Sequence, residues 1–370
     1  METLHTSPGI IGCRKAEEAA YTALRTAALA ARGIPVVMPV MAWGRRVGHV
    51  CGVPGSNTVL LRPSDRWSPH YDCTNSTVRS IGQAVQLGKG YASSWTRVQG
   101  SNPAASNWTD LWPITGGFPT GGTYTGAAYT ARQFDDITTG AIWHGGDVSP
   151  AVKNMVHMTM QNVTGEPIPV LMVIDRVLAY EACSFNAAVN QAMTNGVAAQ
   201  RYIGAGEPGL QVMVTAQTLL GATVSAFTQL QYTDNEGNTL QSMPTTNIVN
   251  IIPSAAAQST TIGARVISPA ASGGTASIGA FMPLSTGDYG VRLIDNFTTS
   301  AANTGTFSLV LCHPLALIPM PRAGAGYSMD SVFGVATLPI IKDGACLDLV
   351  AWSAVGNNST LSGSFDFVWG

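Results

Sequence analysis

Charge is what this sequence has least of. Asp, Glu, Lys and Arg together make up 11% of its 370 residues, against roughly 25% in an average soluble protein. A surface this neutral suits a chain that closes large areas against other protein, because few charges then have to be desolvated or paired. The net charge of −2 leaves no electrostatic footprint for nucleic acid and no polybasic face for a membrane, so neither is expected as a partner. No run reaches ~18 apolar residues, and no transmembrane helix is expected. The opening Met1-Glu-Thr-Leu-His5 lacks the basic start and apolar block of a secretory signal, which predicts synthesis in a reducing cytoplasm. The six cysteines, Cys13, Cys51, Cys73, Cys183, Cys312 and Cys346, form no C-x-x-C pair and read as mostly buried thiols. No internal repeat of about 20–50 residues is visible, which excludes solenoids and propellers.

What charge there is lies unevenly. Residues 1–100 hold 11 basic and 5 acidic side chains, a balance of +6, and residues 101–370 hold 8 and 16, a balance of −8. Arg14 to Arg32 is Ala-rich, with Tyr21, Leu24, Ala28 and Ala31 on one stripe, and predicts a helix ended by Gly33 and Pro35. Residues 34–130 are rich in Pro, Gly, Ser, Asn, Trp and Arg, with little periodicity beyond short apolar runs at Ile34–Met41 and Val59–Leu61. Such a segment buries too little apolar surface to order itself, so it is expected to lie on the chain's own body or on a neighbour.

From about residue 131 the pattern changes to short alternating runs separated by turn residues, the signature of an antiparallel sandwich or jelly roll. Strands are expected at Met155–Asn162, Val170–Tyr180, Leu210–Gln217, Thr223–Tyr232, Thr239–Met243, Ala276–Pro283, Val291–Thr298, Thr306–Leu311, Leu347–Ser353 and Leu361–Trp369. In the last, Leu361, Phe365, Phe367 and Trp369 alternate with Ser362, Ser364, Asp366 and Val368, so one face is buried. Asp234-Asn-Glu-Gly-Asn238 predicts a hairpin loop with Gly237 at positive φ. The expected fold is therefore mainly β: a helix and extended basic docking arm over 1–130, then a jelly-roll-like sandwich body over 131–370. Prolines such as Pro314, Pro319 and Pro339 belong at edges or strand ends, since proline donates nothing to a ladder.

Catalytic and ligand motifs are scarce. The nearest approach to G-x-S-x-G, Gly326-Tyr-Ser328-Met-Asp330, lacks the second glycine, and a serine hydrolase is not expected. Gly116-Gly-Phe-Pro-Thr-Gly-Gly122 has no Lys-Ser/Thr after it to hold phosphates and reads as a loop. His144, Asp147 and His157 could be drawn as a metal site, yet they lack the paired spacing of zinc ligands, so no metal or other cofactor is expected. Cys312 and His313, adjacent in a strand, should point to opposite faces rather than form a dyad. Asp135 and Asp136 could act as a carboxylate pair only with a partner across a substrate. The acids Asp234, Glu236 and Asp288 read as exposed turns, with loop cation binding as the alternative. Trp95, Trp108, Trp112 and Trp143 fall within 49 residues and are candidate interface anchors, with sugar stacking as the alternative.

Several segments resemble virion structural proteins of tailed bacteriophages. They are Gly9-Ile-Ile-Gly-Cys-Arg-Lys-Ala16, Ala131-Arg-Gln-Phe-Asp-Asp136 running on to His144-Gly-Gly-Asp-Val-Ser-Pro150, and Leu284-Ser-Thr-Gly-Asp288-Tyr-Gly-Val-Arg292. Leu338-Pro-Ile-Ile-Lys-Asp-Gly-Ala-Cys-Leu347 and the terminal Phe365-Asp-Phe-Val-Trp-Gly370 belong with them. The likeness covers nearly the whole chain apart from residues 34–110. It implies a non-enzymatic head-associated protein of the virion, made in the bacterial cytoplasm, with a decoration or cement role. The implied partners are the major capsid protein and copies of the chain itself in a dimer or trimer, and the candidate capsid contacts are Arg14, Lys15, Arg45, Arg46, Arg62 and Arg66. A turret, fibre or tail component that binds a host receptor or glycan is the first alternative, and a polysaccharide-degrading enzyme using Asp135 or Asp136 is the remote one.

Overall fold

The computed structural model describes residues 37–42, 45–52, 59–63, 87–99, 107–114, 116–164, 170–186, 188–204, 206–218, 220, 225–244, 266, 279–319, 324, 326–331, 338–353 and 359–370. The chain divides into two units, Met1–Arg79 and Ser80–Gly370. In the first unit β1 (Val37–Ala42), β2 (Arg45–Gly52) and β3 (Val59–Pro63) form one antiparallel sheet in that order. The expected helix at Arg14–Arg32 lies outside the described residues.

The second unit continues with β4 (Gly90–Gln99), β5 (Asn107–Asp110), β6 (Gly117–Phe118), β7 (Ala131–Gln133) and β8 (Lys153–Thr164). Next come β9 (Val170–Phe185), β10 (Gln191–Ala192), β11 (Gln211–Ala216), β12 (Phe227–Asp234), β13 (Gln241–Ser242), β14 (Val291–Thr299) and β15 (Asn303–Pro319). The chain ends with β16 (Gly326–Asp330), β17 (Ile340–Ile341), β18 (Leu347–Ser353) and β19 (Ser359–Trp369). A central sheet runs β11-β15-β9-β18-β5 with β7 also on β9, an outer sheet runs β16-β8-β19-β4-β6 with β17 also on β8, and a short sheet runs β10-β14-β12-β13.

The central sheet is covered on both faces. On one face Leu171, Val173, Leu347, Leu349 and Ala351 meet Trp95, Met155, Met158, Leu361, Phe365 and Phe367 of the outer sheet. Further along, Leu178, Tyr180, Val212, Val214, Phe307 and Leu309 meet Phe227, Leu230, Tyr232, Ile294 and Phe297 of the short sheet. The opposite face, with Met172, Ile174, Ala179, Met213, Val310 and Val350, lies under Trp112, Phe134, Ala141, Val266 and Ala280. A strand apolar on both faces reads as an unbroken hydrophobic run, and β9, VLMVIDRVLAYEACSF, is that run.

The pattern is mainly antiparallel β, as expected, but the second unit stacks three sheets where a jelly roll has two. The division into units falls after Arg79, and β4, β5 and β6 pair with β19, β18 and β4 within the second unit. The expected strand at Ala276–Pro283 is absent over its described part, 279–283, although Ala280 and Met282 there are buried. Pro314 falls in β15 beyond Cys312, where pairing with β11 stops and one side of the strand is open, as a proline in a sheet requires. The 234–238 hairpin is present: β12 pairs with β13, Gly237 has φ +97°, and the Asp234 carboxylate accepts from the Glu236 and Asn238 amides.

Candidate functional site

Among the described residues of the second unit eight charged side chains are buried: Arg97, Asp110, Lys153, Asp175, Arg176, Glu181, Asp234 and Asp348. Two ionic assemblies hold five of them together with the partly buried Arg201. In the first, Arg176 on β9 reaches Asp110 Oδ1 on β5 at 2.5 Å and Asp348 Oδ2 on β18 at 2.6 Å. Its second arm donates to the Tyr124 hydroxyl at 2.8 Å, which donates on to Asp110 Oδ2 at 2.6 Å. Arg97 on β4 donates to the carbonyls of Pro119 and Gly140 and stands 3.8 Å from Asp348. Two cations and two anions make a neutral block, the condition under which buried charge is tolerated. Burial pulls the Arg176 guanidinium down, and the Asp110 carboxylate and its neighbours more than reverse that, so it stays charged. In the second assembly Arg201 clasps Asp175, whose Oδ1 also accepts from the Cys346 amide at 2.9 Å.

A third cluster gathers loop 140–152 around Lys153. Its ammonium donates to the carbonyls of His144 and Gly146 and to His144 Nδ1 at 2.8 Å. The ammonium donates only, so Nδ1 accepts and Nε2 carries the ring proton, 3.8 Å from Asp136. Burial first, and the Lys153 charge second, push His144 down to about 4. The imidazole is therefore neutral at pH 7 and joins the loop to the lysine.

An open constellation stands on the solvent face of the outer sheet. Strands β16, β8 and β19 are neighbours there, and their outward positions include Ser328, then His157 and Thr159, then Ser364 and Asp366. His157 Nδ1 lies 3.0 Å from Asp366 Oδ2, and His157 Nε2 lies 2.7 Å from Ser328 Oγ. A carboxylate only accepts, so Nδ1 holds a proton, and in the neutral ring the Nε2 lone pair then receives the serine hydroxyl. The side chains of His157 and Asp366 are 33% and 41% exposed, so solvent reaches both. Beside them Thr159 Oγ1 and Ser364 Oγ meet at 2.7 Å.

The residues singled out from sequence scatter. Trp95 and Trp112 are buried in the cores of their own unit, where each pins its segment to the body. Trp108 is partly buried and faces Trp352 across β5 and β18. Trp143 is exposed and stacks on His144 at 5.9 Å. Arg14, Lys15 and Arg66 lie outside the described residues, and Arg45 and Arg46 stand in β2 and Arg62 in β3. His144 and His157 do not converge, Asp147 accepts from the Gly344 amide, and no metal-ligand cluster occurs among the described residues. Cys312 is in the core while His313 stacks on Tyr202, on opposite faces as predicted. Asp135 accepts from Thr138, and burial together with Asp147 and Asp135 raises Asp136. Sequence reasoning dismissed Ser328 with its incomplete G-x-S-x-G motif and missed Asp366, respectively 171 and 209 positions from His157.

No family model matches the chain, and no curated protein matches it. Among solved structures, the VP2 subviral particle of infectious bursal disease virus aligns over 75% of this chain and 80% of that one at 11% identity with a TM-score of 0.15. The Gt strain of the same virus aligns over 76% and 79% at 8% identity with a TM-score of 0.16. Scores this low carry no argument about fold or function, and the reading below rests on the chain itself.

Proposed function

We propose that the chain is a structural component of a virus particle, working through contact with copies of itself and with other shell proteins. The observation that carries this reading is where the charge sits. Charged residues are only 11% of the chain, and eight of them are buried inside the second unit. The outward positions of β4, Ala92, Ser94 and Thr96, are small and uncharged. Such a face closes on a neighbour with little desolvation cost.

The finer reading, supported by the sequence resemblance, is a decoration protein on the head of a tailed bacteriophage, with a jelly-roll kinship for the body. There the basic first unit, with Arg14, Lys15, Arg45, Arg46, Arg62 and Arg66, lies against acidic patches of capsid subunits, and weak contacts add up through symmetry. The test is sedimentation of the full-length protein over a wide concentration range at low and high salt. Self-association that persists in high salt is expected, since uncharged contacts are not screened; a monomer at every concentration overturns the reading. Copies per particle, counted by quantitative mass spectrometry of virions, separate decoration from a tail or fibre component.

A further inference from the structure

We propose that Ser328, His157 and Asp366 form a surface acyl-transfer site that hydrolyses small-acyl esters, acetyl esters above all. Assembly does not require this site, and the structural reading stands or falls without it. A triad is defined by geometry and roles rather than by its order in the chain. Here nucleophile, base and orienting carboxylate come from three adjacent strands, with the two hydrogen bonds at 2.7 and 3.0 Å running in the sense catalysis needs. The serine hydroxyl points its proton at a free imidazole lone pair, and the carboxylate holds the other nitrogen protonated. All three positions face solvent, so an acyl group can reach Ser328 Oγ.

In the first half-reaction Oγ forms a bond to the ester carbonyl carbon as its proton passes to His157 Nε2. The ester C–O bond then breaks, and Nε2 returns that proton to the leaving alkoxide, giving the alcohol and acyl-Ser328. Water repeats the sequence on the acyl-enzyme, with Nε2 again taking and returning one proton, and a carboxylic acid leaves. Asp366 orients the ring and stabilises the imidazolium in both halves.

The surroundings select the substrate. Thr159, Ser362 and Ser364 are short polar neighbours on an open face, which seats an acetyl group but gives a long acyl chain nothing to bury against. The alcohol portion is unconfined and can be as large as a polymer. An ester with a good leaving group needs the least help at the developing oxyanion. Activated esters are therefore the substrates on which turnover is measurable.

The experiment treats the full-length protein with a fluorophosphonate probe and, separately, with p-nitrophenyl acetate, beside S328A, H157Q and S328C. Expected are one phosphonyl group on Ser328, none on S328A, and ester turnover that falls about a hundredfold in S328A and H157Q, the scale of general-base help. In S328C the thiol should react with iodoacetamide faster than free cysteine, because His157 draws off its proton; this arm reads the geometry even where the alanine variant folds poorly. A wild-type protein that takes no label, or turnover equal in wild type and S328A, overturns the site.

Discussion

Arg201 holds Asp175 fork to fork, Nε to Oδ2 at 2.9 Å and Nη2 to Oδ1 at 2.8 Å, at the point where β9 passes from one core to the next. The same guanidinium also donates to the carbonyls of Phe134 and Arg176, each at 3.1 Å, so one side chain ties a loop to a central strand. Arg201→Ala should cost about 3–5 kcal/mol, because it leaves a buried carboxylate without its counter-charge. Arg201→Lys should recover only part of that, since an ammonium lacks the planar fork. Urea unfolding of the two variants measures both, and equal stability of Ala and Lys forms would contradict the bidentate role.

The neutral block around Arg176 makes a prediction of a different kind. Arg176→Met leaves Asp110 and Asp348 close together with Arg97 as the nearest remaining cation, and should destabilise by about 3–5 kcal/mol. Adding Asp110→Asn restores charge balance between Arg97 and Asp348, so the double variant should be more stable than the single one. Thermal melts of the pair decide it, and the ordering Arg176→Met above the double variant would refute charge balance as the principle of this site.

Acid sensitivity should be traceable to His144. Its folded pKa is depressed from 6.5 to about 4 by burial and by Lys153, so below pH 6.5 the unfolded chain takes up a proton that the native state refuses. Stability therefore falls as pH drops from about 6.5 to about 4 and levels off below that, a loss of about 3 kcal/mol at the acid end. His144→Gln keeps an acceptor for Lys153 but does not titrate. Unfolding free energies of both proteins at pH 7, 5.5 and 4 should diverge in this window, and parallel profiles would remove His144 as the cause.

The β content was legible wherever one face of a strand is wet. In β19 the alternation of Leu361, Phe365 and Phe367 with Ser362, Ser364 and Asp366 gave both the strand and its buried face, and Gly363 fits the same rhythm for a reason visible only in three dimensions: a Cβ there would strike the Thr159 carbonyl and come within 2.7 Å of the Trp95 ring. In β9 the run announced a strand but not its faces, because both are buried. Nor did it show that Asp175 and Arg176, which look like a solvated step in an apolar run, have partners more than 20 positions away. The tryptophans were ambiguous for a related reason: large aromatics mark burial, and the sequence does not say whether a neighbour or the chain itself provides it. The triad was illegible because Ser328, His157 and Asp366 become neighbours only through strand order and register, and Gly326 to Asp330 is a plain strand rather than a tight turn.

β9 and β15, of 16 and 17 residues, each line all three cores of the second unit. The three cores thus hang on one pair of continuous beams, whose shared ladder shifts register at Leu311/Cys312 and Pro314/Ala316. A force applied at either tip travels along covalent backbone and a shared ladder, so the cores should give way together rather than one after another.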